Sequence, residues 1–249
     1  MKLTIVGCSG SMPAANGSAS SYLVQYDGFN LVLDLGQGSV GALQNYLDLN
    51  AVDAISLSHL HPDHCIDMTG LYVARRYGRD LPNALLPVYA PAGASDRLAD
   101  AYGLDRVPGM SSTFTFHELA MTTVMGPFRV RTALMQHPMT NYAIRLDTPT
   151  GALVYSGDTG PTDALAELAE GADVLLCEAS FVDGEDNPRN LHLTGKQAGE
   201  IAERAGVGRL VLTHIPPWNS GEVALSEART TFSGESQLAR SGLAIELSR

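Results

Sequence analysis

The chain has 249 residues, of which 45% are hydrophobic and 17% are charged. This composition excludes a disordered chain and supplies enough apolar side chains for a sizeable core. With 16 Lys and Arg against 27 Asp and Glu, the net charge is −11. That balance argues against a broad nucleic-acid binder, because a surface that neutralises phosphates must be basic. From the length we expect a single domain over residues 1–249.

The three cysteines show no spacing typical of a disulfide framework, which indicates a reducing compartment. No apolar run approaches the ~20 residues that span a bilayer. The first residues, MKLTIVGCSGSM, are interrupted by Gly and Ser too early to form a signal sequence. We therefore expect a soluble, cytoplasmic protein that does not contact a membrane.

Short apolar runs that predict strands dominate the first third of the chain, at residues 3–6, 22–26, 31–33 and 52–57. Asp27-Gly28 between two of these runs predicts a hairpin. We expect a helix over residues 63–77, with Pro62 at its start. Further along the chain, the pattern predicts strands at 86–89, 113–117, 128–134, 142–146, 153–155, 174–177 and 210–212. Helices are predicted at 94–102, 162–169, 194–205 and 222–232. Strands that alternate with helices indicate α/β layering.

Four side chains that could bind a metal fall within six residues, directly after the strand predicted at 52–57: His59, His61, Asp63 and His64. Imidazole and carboxylate suit zinc and similar transition metals. A tight strand-to-helix turn directs His59 and His61 toward one point and Asp63 and His64 toward a second. The spacing therefore favours two metal ions. The alternative, three surface histidines near a turn, is disfavoured because the whole chain has only seven histidines.

This motif resembles the HxHxDH signature of the metallo-β-lactamase superfamily, and the resemblance continues through Gln136-His137-Pro138, the sequence YSGDTG at 155–160, and Leu212-Thr213-His214. It implies an α/β fold, the four-layer αββα sandwich with the metals at one edge. One divalent ion would be held by His59, His61 and His137, and the other by Asp63, His64 and His214. Asp158 would bridge the two ions. Zinc is the expected metal, with manganese or iron as alternatives.

A second element, CEAS at 177–180 followed by LHLT at 191–194, looks like the tRNase Z-type branch of the superfamily. This likeness implies that Glu178 and His192 pair near the leaving group, as catalytic residues alongside Asp63. A hydroxide bridging the metals, oriented by Asp63, would attack phosphorus while His192 acts as general acid. The alternatives are that His192 is only a loop residue before a helix, and that Glu178 pairs with another buried ion.

Two departures from tRNase Z bear on the substrate. Twenty residues separate His137 from Asp158, which leaves room for a hairpin but not for the long arm that grips tRNA. The net charge of −11 is also wrong for holding a folded RNA, and the loop SMPAANG at 11–17 lacks the usual basic residues. The whole-chain pattern is instead similar to actinobacterial proteins of this fold that hydrolyse cyclic AMP, with matching stretches at 7–13 (GCSGSMP), 58–77, 155–160, 177–181 (CEASF), 191–195 (LHLTG) and 212–218 (LTHIPPW).

These resemblances imply a phosphodiesterase that converts 3′,5′-cyclic AMP to 5′-AMP, with a small cyclic nucleotide as substrate and no nucleic-acid partner. The alternative is a tRNase Z-like endoribonuclease that processes RNA 3′ ends. A third possibility is a nucleotide sensor that binds without turnover. The relatives are commonly homodimers, so we expect a homodimer.

Three other residues allow two interpretations. Arg75 and Arg76 could lie at the cleft rim or on a solvated helix face, and the second is favoured. Trp218, the single tryptophan, could stack on a nucleotide base or pack against the last helix.

Overall fold

The computed structural model describes residues 1–78 and 84–248. Within them the strands form two seven-stranded sheets. The first sheet has the order β14-β1-β2-β3-β4-β5-β6, with β1 (Lys2–Gly7), β2 (Ser21–Tyr26), β3 (Phe29–Leu33), β4 (Ala54–Ser56), β5 (Leu86–Ala90), β6 (Phe114–Glu118) and β14 (Ala244–Glu246).

The second sheet has the order β13-β12-β11-β10-β9-β8-β7. Its strands are β7 (Thr122–Met125), β8 (Phe128–Leu134), β9 (Tyr142–Thr148), β10 (Gly151–Tyr155), β11 (Val174–Glu178), β12 (Arg209–Thr213) and β13 (Glu235–Leu238). The run β10-β11-β12-β13 is parallel, as is β3-β4-β5-β6 in the first sheet. The carboxyl ends of parallel strands meet at one edge of a sheet, where an open α/β fold can build a site.

The described helices are α1 (Ser39–Leu43), α2 (Pro62–Cys65), α3 (Met68–Tyr77), α4 (Ala94–Tyr102), α5 (Asp163–Ala169), α6 (Gly195–Ala205) and α7 (Gly221–Ala228). A single 3₁₀ turn, Leu49–Ala51, precedes β4. Among the helices of residues 1–78 and 84–248, none combines the length and apolar character that a bilayer crossing needs.

Three apolar clusters define the layers. One lies between the two sheets and includes Leu3, Tyr22 and Tyr155. Another packs the first sheet against α1, α3 and α4, and the third packs the second sheet against α5, α6 and α7. Helix, sheet, sheet and helix therefore follow one another, which confirms the predicted αββα sandwich.

The predicted hairpin at Asp27-Gly28 is confirmed: both residues have positive φ, and β2 pairs antiparallel with β3 on either side. The single helix predicted over 63–77 is wrong. The structure divides it into α2 and α3, because the amide of Asp67 donates to the carbonyl of Leu35 and its carboxylate accepts from the amide of Val40. Asp67 thus bonds to a distant loop at the point where a continuous helix would pass.

The last helix is shorter than the predicted 222–232 and ends at Ala228. Past its end, the hydroxyl of Thr230 donates to the carbonyl of Glu227, and that of Thr231 donates to the carbonyls of Lys196 and Ala228. Such hydroxyl bonds to the main chain compete with helix continuation.

Candidate metal centre

The side chains predicted to bind metal all lie just past the carboxyl end of a strand. His59 and His61 follow β4, and Asp63 and His64 begin α2 directly after them. His137 follows β8, Asp158 follows β10 and His214 follows β12. These strand ends, drawn from both sheets, bring the seven side chains into two overlapping clusters that share Asp158.

The first cluster contains His59, His61, His137 and Asp158. Nδ1 of His61 lies 3.0 Å from Nε2 of His59 and 3.1 Å from Nε2 of His137. Two ligands of a tetrahedral zinc with bonds of about 2.0–2.1 Å lie about 3.3 Å apart. The three ring nitrogens therefore converge with nearly the spacing that one metal ion requires.

The second cluster contains Asp63, His64, Asp158 and His214. Nε2 of His64 lies 3.2 Å from Oδ1 of Asp158, and Nε2 of His214 lies 3.3 Å from its Oδ2. Oδ2 of Asp63 lies 3.5 and 3.6 Å from the same two ring nitrogens. Because Oδ2 of Asp158 also lies 3.6 Å from Nε2 of His59, this carboxylate can bridge the two clusters.

Three buried atoms of these clusters have no hydrogen-bond partner: Nε2 of His64, Nε2 of His214 and Oδ1 of Asp158. An unpaired polar atom in the interior costs free energy, so native proteins rarely retain one without a reason. All three atoms point into the second cluster. The donor set of imidazoles and carboxylates and these unpaired atoms fit a pair of divalent metal ions. They do not select among zinc, manganese and iron.

Several of these histidines also form a hydrogen bond through Nδ1, the ring nitrogen that does not face a cluster, and this bond fixes the orientation of the ring. Nδ1 of His64 lies 2.7 Å from Oδ2 of Asp34, and Nδ1 of His214 lies 2.9 Å from Oγ of Ser20. Nδ1 of His137 lies 3.1 Å from the carbonyl oxygen of Leu191. Each of these bonds leaves Nε2 free to face a cluster, which is the usual supporting arrangement for metal-binding histidines.

Asp34 is a functional residue that the sequence prediction missed. It is fully buried, follows β3 and holds His64, the hydroxyl of Tyr155, and both the amide and hydroxyl of Ser58. Its φ of 58° is unusual for a residue other than glycine. The available signal was an acid directly after the apolar run FNLVL, where the interior requires a charged group to have partners.

The charges inside the clusters oppose the effect of burial. Burial lowers the pKa of His64, but the neighbouring carboxylates of Asp158 and Asp34 raise it by more than this, so that the pKa lies well above the usual value. Burial raises the pKa of Asp158, but His214, His64 and His59 hold it well below the usual value. The carboxylate is therefore ionised at neutral pH.

Glu178 and His192 lie beside the shared aspartate. Oε1 of Glu178 is 2.9 Å from Nδ1 of His192 and accepts from the amide of Thr159 at 2.6 Å. Nδ1 of His192 is also 4.0 Å from Oδ2 of Asp158. Burial lowers the pKa of His192, but the charge and hydrogen bond of Glu178, and then Asp158, raise it to about 9. The structure thus brings together the two residues that the sequence paired.

Three further candidates, Arg75, Arg76 and Trp218, are not members of the two clusters. Arg75 donates to the carbonyl of Ala84, and the guanidinium of Arg76 lies over the ring of Tyr77. Arg75 is half-buried and Arg76 is exposed, and neither contact involves a residue of the clusters, so the favoured solvated helix face stays a prediction. Trp218 is 66% exposed, so most of its ring is open to a ligand, and both interpretations of it stay predictions.

The fold and the two clusters define a metal-dependent hydrolase. A family model described as "Beta-lactamase superfamily domain" matches residues 30–215. The chain therefore belongs to the metallo-β-lactamase superfamily, as its motifs predicted.

Individual relatives match nearly the whole chain. An uncharacterized protein of Mycobacterium leprae (strain TN) is 44% identical over 241 residues, covering 94% of this chain and 84% of the relative. The probable metallo-hydrolase YhfI of Bacillus subtilis (strain 168) is 32% identical over 248 residues, covering 99% of this chain and 100% of the relative. The crystal structure of YhfI superimposes with a TM-score of 0.89 at 31% identity and covers 98% of both chains.

The short form of human tRNase Z also has the same fold. It superimposes with a TM-score of 0.78 at 20% identity and covers 100% of both chains. At this identity the likeness shows the fold alone, and the substrate must be inferred from the site itself.

Proposed function

We propose that this hydrolase is a phosphodiesterase for 3′,5′-cyclic nucleotides and converts cyclic AMP to 5′-AMP. The observation that carries the proposal is the His192–Glu178 pair beside Asp158. An alkoxide is a poor leaving group, so an ester that releases one benefits from a proton donor at the bond that breaks. A histidine next to the clusters and held by a buried carboxylate meets that need.

Two divalent ions, held as the clusters suggest, would polarise the phosphoryl oxygens and make a water nucleophilic at neutral pH. Asp63 lies in the second cluster with its side chain buried, and its carboxylate can orient the attacking water. The new bond joins the water oxygen to phosphorus, and the bond from phosphorus to O3′ breaks.

His192 supplies the proton that O3′ takes up. Its Nδ1 is engaged by Glu178, so the proton on Nε2 is the one available to a substrate. Glu178 is itself fixed by the amides of Thr159 and Ser180, at 2.6 and 3.3 Å from its two oxygens. Glu178 thus acts as a positioning residue that keeps the imidazole oriented and protonated.

The architecture around the site favours a small substrate. β9 ends at Thr148 and β10 begins at Gly151, so only a two-residue turn joins them. This turn lies between His137 and Asp158, where an RNA-gripping arm would have to emerge. The net charge of −11 further opposes contact with a long polyanion. A cyclic mononucleotide requires neither an arm nor a basic surface.

A product assay tests the proposal. Metal-loaded protein is incubated separately with cyclic AMP, cyclic GMP, 2′,3′-cyclic nucleotides and a tRNA precursor with a 3′ trailer, and the same sample is analysed for metals. Formation of 5′-AMP from cyclic AMP is expected. Unchanged cyclic AMP together with a clean cut at the end of the tRNA would favour the endoribonuclease. Tight nucleotide binding without product would indicate a sensor.

A further inference from the structure

A long loop brings His192 to the clusters. The His192 loop, residues 182–193, connects β11 to α6 and lies largely on the surface. Its base is closed by a hydrogen bond of 2.9 Å from the amide of Phe181 to the carbonyl of Leu193. A surface loop of this length needs further anchors if one of its side chains is to act with a defined geometry.

Glu227 of α7 is the first anchor. Its Oε1 accepts from the amide of Asp183 at 3.0 Å, and its Oε2 accepts from the amide of Gly195 at 3.1 Å. Asp183 lies at the start of the His192 loop, and Gly195 lies two residues past its end, at the first residue of α6. A single carboxylate of α7 therefore holds the start of the loop and the start of the helix that follows it.

Gly160 is the second anchor, next to His192 itself. A Cβ atom at Gly160 would lie 2.6 Å from Cα of Asn190 and 3.0 Å from the amide nitrogen of Leu191. Since Gly160 does not have a positive φ, the close approach of this backbone, rather than an unusual conformation, excludes a side chain. The carbonyl of Leu191 then accepts from Nδ1 of His137.

The loop end is thus seated on the segment that carries Asp158 and on a histidine of the first cluster. We propose that Gly160 and Glu227 are positioning residues that hold the imidazole of His192 where it can protonate the leaving oxygen. This inference rests on the proposed function and assigns to both residues a role in leaving-group protonation.

The experiment compares two leaving groups in Gly160→Ala and Glu227→Gln. Cyclic AMP releases an alkoxide that needs a proton, whereas bis(p-nitrophenyl) phosphate releases a phenolate that departs without one. We expect kcat for cyclic AMP to fall about 10- to 100-fold, within the range that a general acid contributes. The rate with the p-nitrophenyl ester is expected to change less than about 3-fold, because nucleophile activation is intact.

Matched controls separate this effect from general damage. Gly41→Ala adds the same methyl group where no atom lies within 4 Å, and Glu222→Gln alters an exposed carboxylate on the same helix as Glu227. Both controls are expected to resemble the wild type with both substrates. If Gly160→Ala does not fold, Glu227→Gln still tests the other end of the loop.

Amide hydrogen exchange gives a readout that needs no turnover. We expect faster exchange over residues 183–194 in both variants, with unchanged metal content and unchanged exchange in β10. An equal loss of activity with both substrates, or no loss with either, would overturn the proposal. If the wild type hydrolyses neither ester, the proposed function fails, and exchange in the loop alone decides whether Gly160 and Glu227 anchor it.

Discussion

Oδ2 of Asp34 lies 2.7 Å from Nδ1 of His64, and neither side chain is exposed to solvent. The same oxygen accepts a hydrogen bond of 2.7 Å from the hydroxyl of Tyr155. Asp34 comes from the first sheet and Tyr155 from the second, so this carboxylate joins the two sheets directly beneath the clusters. It sets both the orientation of His64 and the nitrogen that His64 presents.

Replacing Asp34 should therefore weaken metal binding without removing any predicted ligand. We expect Asp34→Ala to lower the affinity for zinc about 100-fold and Asp34→Asn about 10-fold, as is typical when the hydrogen-bond partner of a metal-binding histidine is lost. Competition with a chromophoric chelator measures the affinity. Asp53→Asn, at an exposed aspartate that accepts from Asn30, is the control, and equal affinities in all these proteins would contradict the prediction.

His192→Ala tests the proton donor directly. We expect kcat for cyclic AMP to fall about 10²- to 10⁴-fold, because the leaving oxygen then departs unprotonated. His192 lies outside the two four-residue clusters assigned to metal binding but forms a third group of potential ligands with Asp158 and Glu178. We expect the content of both metals to stay unchanged, because the two clusters keep all their ligands. His117→Ala is the matched control, at an exposed histidine stacked on Tyr89. Loss of metal from His192→Ala would instead indicate a metal-binding role.

The pair formed by Glu178 and His192 predicts a pH dependence in the metal-free protein. His192 is expected to titrate with a pKa of about 9, above its ordinary value of 6.5. An NMR titration of the imidazole signals measures this pKa. A pKa raised by folding stabilises the protein fully below about pH 6.5, and this contribution disappears as the pH rises through about 9.

Glu178→Gln should therefore lower the free energy of unfolding more at about pH 6 than at about pH 10, by an amount on the order of 3 kcal/mol. Urea denaturation at both pH values measures the difference. The same destabilisation at both would show that Glu178 stabilises the fold without acting through the charge on His192.

Removal of bound metal should lower thermal stability. His64, His214 and Asp158 each have a buried atom without a hydrogen-bond partner, so a bound ion would satisfy atoms that otherwise remain unpaired. A ligand at about 100 times its Kd adds about 2.7 kcal/mol per site, and we expect chelation to lower Tm by roughly 5–10 °C for each ion lost. Calorimetry before and after zinc is restored tests this, and an unchanged Tm would count against a metal site in the folded protein.

Trp218 provides a spectroscopic test of the substrate class. It is the only tryptophan of the chain, and its exposure predicts an emission spectrum typical of water-exposed indole. We expect 5′-AMP to quench this fluorescence and to protect it from acrylamide, because a base can stack on the exposed ring. Ribose 5-phosphate, which lacks a base, is the control, and equal effects of the two compounds would exclude stacking.

The sequence alone was sufficient to predict the site residues that are neighbours in the chain or that belong to a known motif. His59, His61, Asp63 and His64 are neighbours in the chain, and a strand followed by a tight turn brings them together. His137, Asp158 and His214 are far apart in sequence, and only the resemblance to a family connected them. Their convergence depends on the register of β8 to β12, which no local pattern specifies.

The missed features depend on long-range contacts. Asp34 was not distinguished from other acids because its partners are up to 121 residues away. The break at Asp67 depends on Leu35 and Val40, so it is not visible in the helical pattern of 63–77. The edge strands β13 and β14 are short and partly exposed. Their sequences lack the alternation of apolar and polar residues that predicts a strand, and they form only by pairing with a neighbour at the sheet edge.

The division of the clusters between the two sheets has a consequence for engineering. Four of the seven side chains lie before residue 65 and three lie after residue 136. Cutting the gene between α4 and β6 would give two fragments, neither of which carries a complete ion cage. Coexpressed fragments would complete the metal-binding clusters only when they reassociate, and bound zinc would stabilise the reassociated form. The fold is therefore a starting point for a split reporter whose reassembly responds to available metal.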